Sequence, residues 1–125
     1  MYKTQGIKKW IGYIFKFDEC DIKQFKSLFH SIKAEIDAQV YQEGYELITF
    51  TRGYFNISGF ISNADRTRFV YFSVPDVRDM SVWYKHILVR EAESEKDYQG
   101  GINNYTSLED FGTAVNKLMN GRKFI

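Results

Sequence analysis

Apolar and polar positions along this chain follow two different periods. From Asp21 to Val40, Ile22, Phe25, Leu28, Phe29, Ile32, Ile36 and Val40 recur at steps of three and four residues. That spacing lines them along one face of a helix. Asp18 or Asp21 is expected to cap its start, where a carboxylate accepts free amide protons and suits the positive end of the dipole. Gly44 is the expected stop. Two runs of strand composition follow, Tyr45 to Thr51 and Tyr54 to Ile61, and Arg52-Gly53 between them predicts a hairpin. In the second run Phe55, Ile57 and Ile61 alternate with Asn56, Ser58 and Phe60, so one face is expected to be buried. Gly59 marks a bulge or a close approach by another element.

Ser62 to Thr67 has the composition of a turn, and Arg68 to Val74 reads as a third strand ended by Pro75. Pro75-Asp76 suits the start of a short helix through Val77, Met80, Trp83 and Tyr84. His86 to Ala92 reads as a fourth strand in which Leu88 alternates with Ile87 and Val89. Trp10 to Phe17 fits either a strand or a helix. Near the end, Thr106-Ser-Leu-Glu109 fits a capping box, in which threonine and glutamate each bond the other's backbone amide. Ser107 with Asp110 is a competing register. Leu108, Phe111, Val115 and Leu118 make one apolar stripe, and Gly121 stops that helix beside Arg122 and Lys123, which complement its negative end. The expected fold is a single α+β domain over residues 1–125: an antiparallel sheet of four to five strands with two main helices packed on one face.

Composition narrows the class. Hydrophobic residues are 44% and charged residues 26% of the 125, the balance of a globular chain rather than a disordered one. Aromatics reach 18%, which supplies large contact area from few residues. Cys20 is the only cysteine, so no internal disulfide forms and a reducing compartment is favoured. No apolar run approaches the ~18 residues of a membrane span, and Trp10 to Phe15 is too short for a signal peptide. The expected location is the cytoplasm, with no membrane partner. A net charge of +1 gives no global field for nucleic acid. Locally, residues 1–33 carry seven lysines against three acids, while Glu91 to Asp97 holds four acids and only Lys96.

Candidate chemistry is sparse. Cys20, His30 and His86 lack the short spacings of a zinc site, so neither metal nor cofactor is expected. A Cys20 nucleophile with His30 as base is the weaker reading beside a structural cysteine. Glu91 and Glu93, alternating on one strand face, and Asp97 offer carboxylates for a small enzyme. Arg52, Arg66 and Arg68 in or beside turns, with the helical stripe Lys23, Lys26 and Lys33, offer phosphate contacts. Tyr54 and Phe60 are candidates to stack bases. The α-β-β-β-α order resembles the double-stranded-RNA-binding domain. That domain starts its final helix with lysines, whereas here Thr106-Ser-Leu-Glu-Asp110 would repel phosphate.

The segment "DYQGGINNYTSLEDF", Asp97 to Phe111, stands apart. Gly100-Gly101 frees backbone amides ahead of a helix, where anions can sit. The Lys-Ser/Thr ending of a P-loop and a GxGxxG pattern are both absent, so a turn is the better reading. Asn103 and Asn104 tolerate left-handed backbone. Tyr98 and Tyr105 suit a contact surface or a lid on the core. Residues 97–105 are therefore expected to form an ordered, outward-facing connector, fastened by the cap of the last helix.

Ile87 to Phe111, together with "GYFNISGFISN" (Gly53 to Asn63), resembles small proteins of phages and conjugative elements in low-GC Gram-positive bacteria. The resemblance implies that Arg90, Asp97, Gly100, Gly101, Asn103, Asn104 and Tyr105 form the shared part, and it carries no catalytic residue. Accessory proteins of this kind often block a host enzyme or nucleic acid by binding it. The expectation is a non-enzymatic binding protein acting through Arg90, Asp97, Tyr98, Gly100, Gly101, Asn103, Asn104 and Tyr105 on a host protein, for instance a defence nuclease. Nucleic-acid binding is the alternative, and carboxylate enzymology the second alternative.

Overall fold

The computed structural model describes residues 22–78, 85–99 and 101–121, with the backbone alone for 22–25. The expectations for Trp10 to Phe17, the Asp18 or Asp21 cap, Cys20, the body of the short helix after Val77, Gly100, and the Arg122-Lys123 end lie outside these residues. Within them the order is α1 (Ile22–Gln42), β1 (Glu46–Arg52), β2 (Ile57–Ser62), β3 (Phe69–Val74), β4 (Ile87–Ala92), β5 (Asn104–Thr106) and α2 (Phe111–Met119). The strands form one antiparallel sheet in the order β1-β2-β3-β4-β5, a plain meander. This is the expected α+β architecture, with five strands.

The register sorts the sheet into two faces. Ile57, Ile61, Val70, Phe72, Val74, Ile87 and Val89 point to the helices, where they pack with Leu28, Phe29, Ile32, Ile36 and Val40 of α1 and Phe111, Val115 and Leu118 of α2. Burial of these side chains takes their apolar surface out of water and is the main source of cohesion. Gly59 sits in this layer because a Cβ there would lie 2.1 Å from the Thr49 carbonyl oxygen and 2.8 Å from the Phe72 ring. The close approach is therefore real, and the register shift falls instead in β1, between Leu47 and Thr49.

Helix α1 ends as expected. Gly44 adopts φ +87, and the amides of Gly44 and Tyr45 bond the carbonyls of Tyr41 and Val40 at 3.0 Å each. These two bonds close a Schellman motif. The β1–β2 hairpin also forms, but its turn is longer than the predicted Arg52-Gly53. It runs from Gly53 to Asn56, closed by Gly53 N–H donating to the Asn56 carbonyl at 2.8 Å. Phe55 consequently leaves the face of Ile57 and Ile61 and lies under the Arg78 guanidinium, 3.8 Å from its ring centroid.

The predicted capping box does not form. Thr106 ends β5, and the competing register is the one made: the Ser107 hydroxyl oxygen accepts the Asp110 amide at 3.1 Å. Helix α2 is capped instead from across the core. The Gln39 side-chain oxygen accepts the Gly112 amide at 2.7 Å, and its NH2 donates to the Leu108 carbonyl at 2.7 Å and to Glu35 at 2.6 Å. A Cβ on Gly112 would come within 3.2 to 3.3 Å of Gln39, so glycine gives the glutamine its room. At the other end of α2, Arg68 donates to the Met119 carbonyl at 2.7 Å, a cation at the negative pole of the dipole.

Candidate binding surface

The second face of the sheet carries Ser58, Phe60, Tyr71, Ser73, Leu88, Arg90 and Tyr105, as the pairs Phe60↔Tyr71, Tyr71↔Arg90 and Leu88↔Tyr105 require. Phe60 is fully buried yet stands outside the main core. Tyr98, on the loop after β4, folds back to meet it edge-on at 5.1 Å between centroids, and meets Tyr71 edge-on at 5.8 Å. Edge-to-face contacts at these separations are the favoured geometry for aromatic rings. Arg90, 3% exposed, lies 4.4 Å from the Tyr71 ring centroid and donates to the Asp97 carbonyl at 3.3 Å. The arginine thus ties the loop to the sheet by a stacked guanidinium and a hydrogen bond.

Asp97 organises the loop itself. Its carboxylate accepts the Glu93 amide at 2.9 Å and the Gln99 amide at 3.2 Å, while its own amide bonds the Ser94 carbonyl at 3.2 Å. Gly101 has φ +83, and a Cβ there would be 2.4 Å from the Glu91 carbonyl oxygen. Only glycine lets the returning chain pass this close to the end of β4. Asn104 bonds the Ile102 carbonyl through its side-chain NH2 at 3.1 Å.

This arrangement corrects the expected connector in two ways. Asn104 and Tyr105 are ladder-paired in β5 rather than looped out, and the capping box that was to fasten the segment is absent. What fastens it is Arg90, Asp97 and Gly101. The segment still meets solvent: Tyr98 is 57%, Ile102 72% and Tyr105 56% exposed. Among the described residues these are three of the five exposed large hydrophobics, the others being Tyr41 and Tyr54. The sequence signal missed was Phe60, whose place opposite the helices makes it the anchor for Tyr98.

The basic residues do not converge. Arg52 stacks on Phe29 at 4.8 Å, and Arg66 faces Glu46 at 3.5 Å. Arg68 holds the end of α2. Lys33 pairs with Asp37 at 3.1 Å over the Phe50 ring. Lys26 and His30 are exposed on α1, and the Lys23 side chain lies outside the described residues. Arg52 and Glu46 sit at opposite ends of β1, which separates Arg52 from the Arg66–Arg68 turn by roughly 20 Å at the rise of a strand. Tyr54 is exposed at the hairpin tip, whereas Phe60 is sealed and offers no stacking surface.

Glu91 and Glu93 are both exposed, and Glu93 lies past the end of β4, so they do not share a strand face. Asp97 spends its carboxylate on backbone amides. No group of three or more His, Cys, Asp or Glu among the described residues is placed to hold a metal ion. No helix among them is long and apolar enough to cross a membrane. Comparison with protein-family models, curated proteins and solved structures found no match.

Proposed function

We propose that this is a non-enzymatic, cytoplasmic binding protein of a mobile genetic element that acts by docking on a host protein, a defence nuclease being one concrete form. The observation that carries the reading is the exposure of Tyr98, Ile102 and Tyr105 on one segment tied down by Arg90, Asp97 and Gly101. Exposed aromatic side chains on a preorganised support lose little conformational freedom on binding and suit a protein interface. The mobile-element part rests on the resemblance of Ile87 to Phe111 and Gly53 to Asn63 to proteins of phages and conjugative elements.

A photo-crosslinking amino acid in place of Ile102 tests this in lysate of a low-GC Gram-positive host, with the same group at exposed Ala38 of α1 as control. A discrete adduct from position 102 alone, lost on adding Tyr98→Ala and Tyr105→Ala, is the expected result. Identical adducts from both positions, or none, would overturn the proposal.

A further inference from the structure

We infer that the docked protein adds an extended segment as a further strand along the outer edge of β5, with an aromatic or β-branched side chain set beside Tyr105. The inference rests on the docking role proposed above and adds the form of the partner. The sheet ends at β1 on one side and at β5 on the other. An end strand presents backbone amides and carbonyls on its outer side, and natural sheets blunt such an edge with charges, bulges or brevity. Strand β1 carries Glu46 and Arg52 at its two ends, a register shift between Leu47 and Thr49, and Lys33 of α1 over its Phe50 ring. Strand β5 has brevity alone. Its inner side pairs Asn104, Tyr105 and Thr106 with Val89, Leu88 and Ile87, and among the described residues no strand pairs its outer side. No residue from Gln99 to Leu108 is charged.

An unpaired strand edge selects its occupant. Its donors and acceptors alternate at the spacing of another extended backbone, whereas a helix spends its backbone groups internally and a nucleic acid has no such alternation. The register then places the partner's side chains. Tyr105 continues the row of Ser73 and Leu88 on the face away from the helices. The residue opposite Tyr105 extends that row, and an aromatic ring there pairs best with an aromatic or β-branched neighbour. Three backbone residues are a small contact by themselves. Ile102 and Tyr98, 72% and 57% exposed on the segment leading into β5, add apolar surface to it. Arg90, Asp97 and Gly101 already hold that segment against β4, so the edge is formed before a partner arrives.

The test uses the full chain and two defined probes: a short fluorescein-labelled peptide alternating valine with threonine, and its fully N-methylated counterpart, which has no amide donors. Anisotropy titrations are expected to show binding of the first and at least about tenfold weaker binding of the second, a difference of about 1.4 kcal/mol. Tyr105→Lys places a charge on the β5 edge and is expected to weaken the first peptide by a similar factor. Thr51→Lys does the same on the β1 edge, where Thr51 is exposed, and is expected to leave binding unchanged. Unfolding midpoints close to the parent confirm that both variants are folded. Hydrogen exchange read by NMR is expected to slow within Asn104 to Thr106 when the peptide binds. No binding, equal binding of the N-methylated peptide, parent-like binding by Tyr105→Lys, or slowed exchange at β1 instead would overturn the inference. Self-association of the chain that Tyr105→Lys abolishes would also overturn it, by making a second copy the occupant. A position-102 adduct whose partner leaves β5 exchange unchanged would refute strand addition while leaving the docking role standing.

Discussion

Tyr98 and Tyr105 are nearly equally exposed, yet they do different things. Tyr98 lies across Phe60 and Tyr71, so its removal uncovers a buried ring, whereas Tyr105 leans on no aromatic partner among the described contacts. Tyr98→Ala should cost about 1–2 kcal/mol, from two edge-on pairs and the area they cover. Tyr105→Ala should stay within about 0.5 kcal/mol, as expected of a surface position. Urea unfolding of the two variants decides it, and equal losses would show that Tyr98 is no anchor. Ionisable residues add a pH dependence with a definite sign. A hydrogen bond from the Arg78 side chain holds the Asp76 carboxyl below its ordinary range. Its contribution is complete above the unfolded carboxylate value of about 4 and is lost as pH falls through the lower folded value. Burial, then the nearby Glu43 charge, pushes the Tyr45 hydroxyl above its ordinary value. That contribution is complete below about pH 10 and disappears as pH rises through the folded value. Arg78→Gln should therefore narrow the difference between stability at neutral and acid pH, and Tyr45→Phe the fall at alkaline pH. Denaturant titrations across pH that show no such narrowing would contradict both assignments.

At the scale of elements, what the sequence disclosed was whatever a single segment decides for itself. The three- and four-residue steps of α1, the alternation in β2, the run of β3 up to Pro75 and the Gly44 stop depend on local pattern and on one backbone angle, and they were legible. Three features were not. The short β5 carries no pattern of its own, and it is a strand because Arg90, Asp97 and Gly101 bring the chain back alongside β4. At the start of α2 the sequence offers Thr106 with Glu109 or Ser107 with Asp110, and the second pair forms, but the Gly112 amide is met by Gln39, far away in sequence. Phe60 looked like a solvent-side ring because its neighbours in the alternation are polar, while its cover comes from a loop. Each miss is a contact between distant segments. Gln39→Ala tests the second, and it should cost about 1–2 kcal/mol by leaving the Gly112 amide and Leu108 carbonyl without their partner. A loss below about 0.5 kcal/mol in urea titration would mean that water replaces the glutamine.

Across the whole molecule, strand neighbours in space are strand neighbours in sequence, so every ladder joins consecutive strands, through connections at 53–56, 63–68, 75–86 and 93–103. Helix α2 is the exception. It is clasped by Gln39 of α1, by Tyr45, whose hydroxyl bonds Asn116 at 2.5 Å, and by Arg68 of the β2–β3 turn. These contacts span 73, 71 and 51 residues. Contacts of long sequence separation carry the larger closure entropy. The sheet with α1 is therefore expected to assemble first and α2 to lock on after the rate-limiting barrier. On that order, Gln39→Ala leaves the refolding rate nearly unchanged and speeds unfolding about five- to thirtyfold, the whole of its equilibrium effect. A slowed refolding limb in stopped-flow traces would place the α2 clasp inside the nucleus instead. The meander thus makes the lifetime of the native state, rather than the speed of reaching it, the property that one glutamine controls.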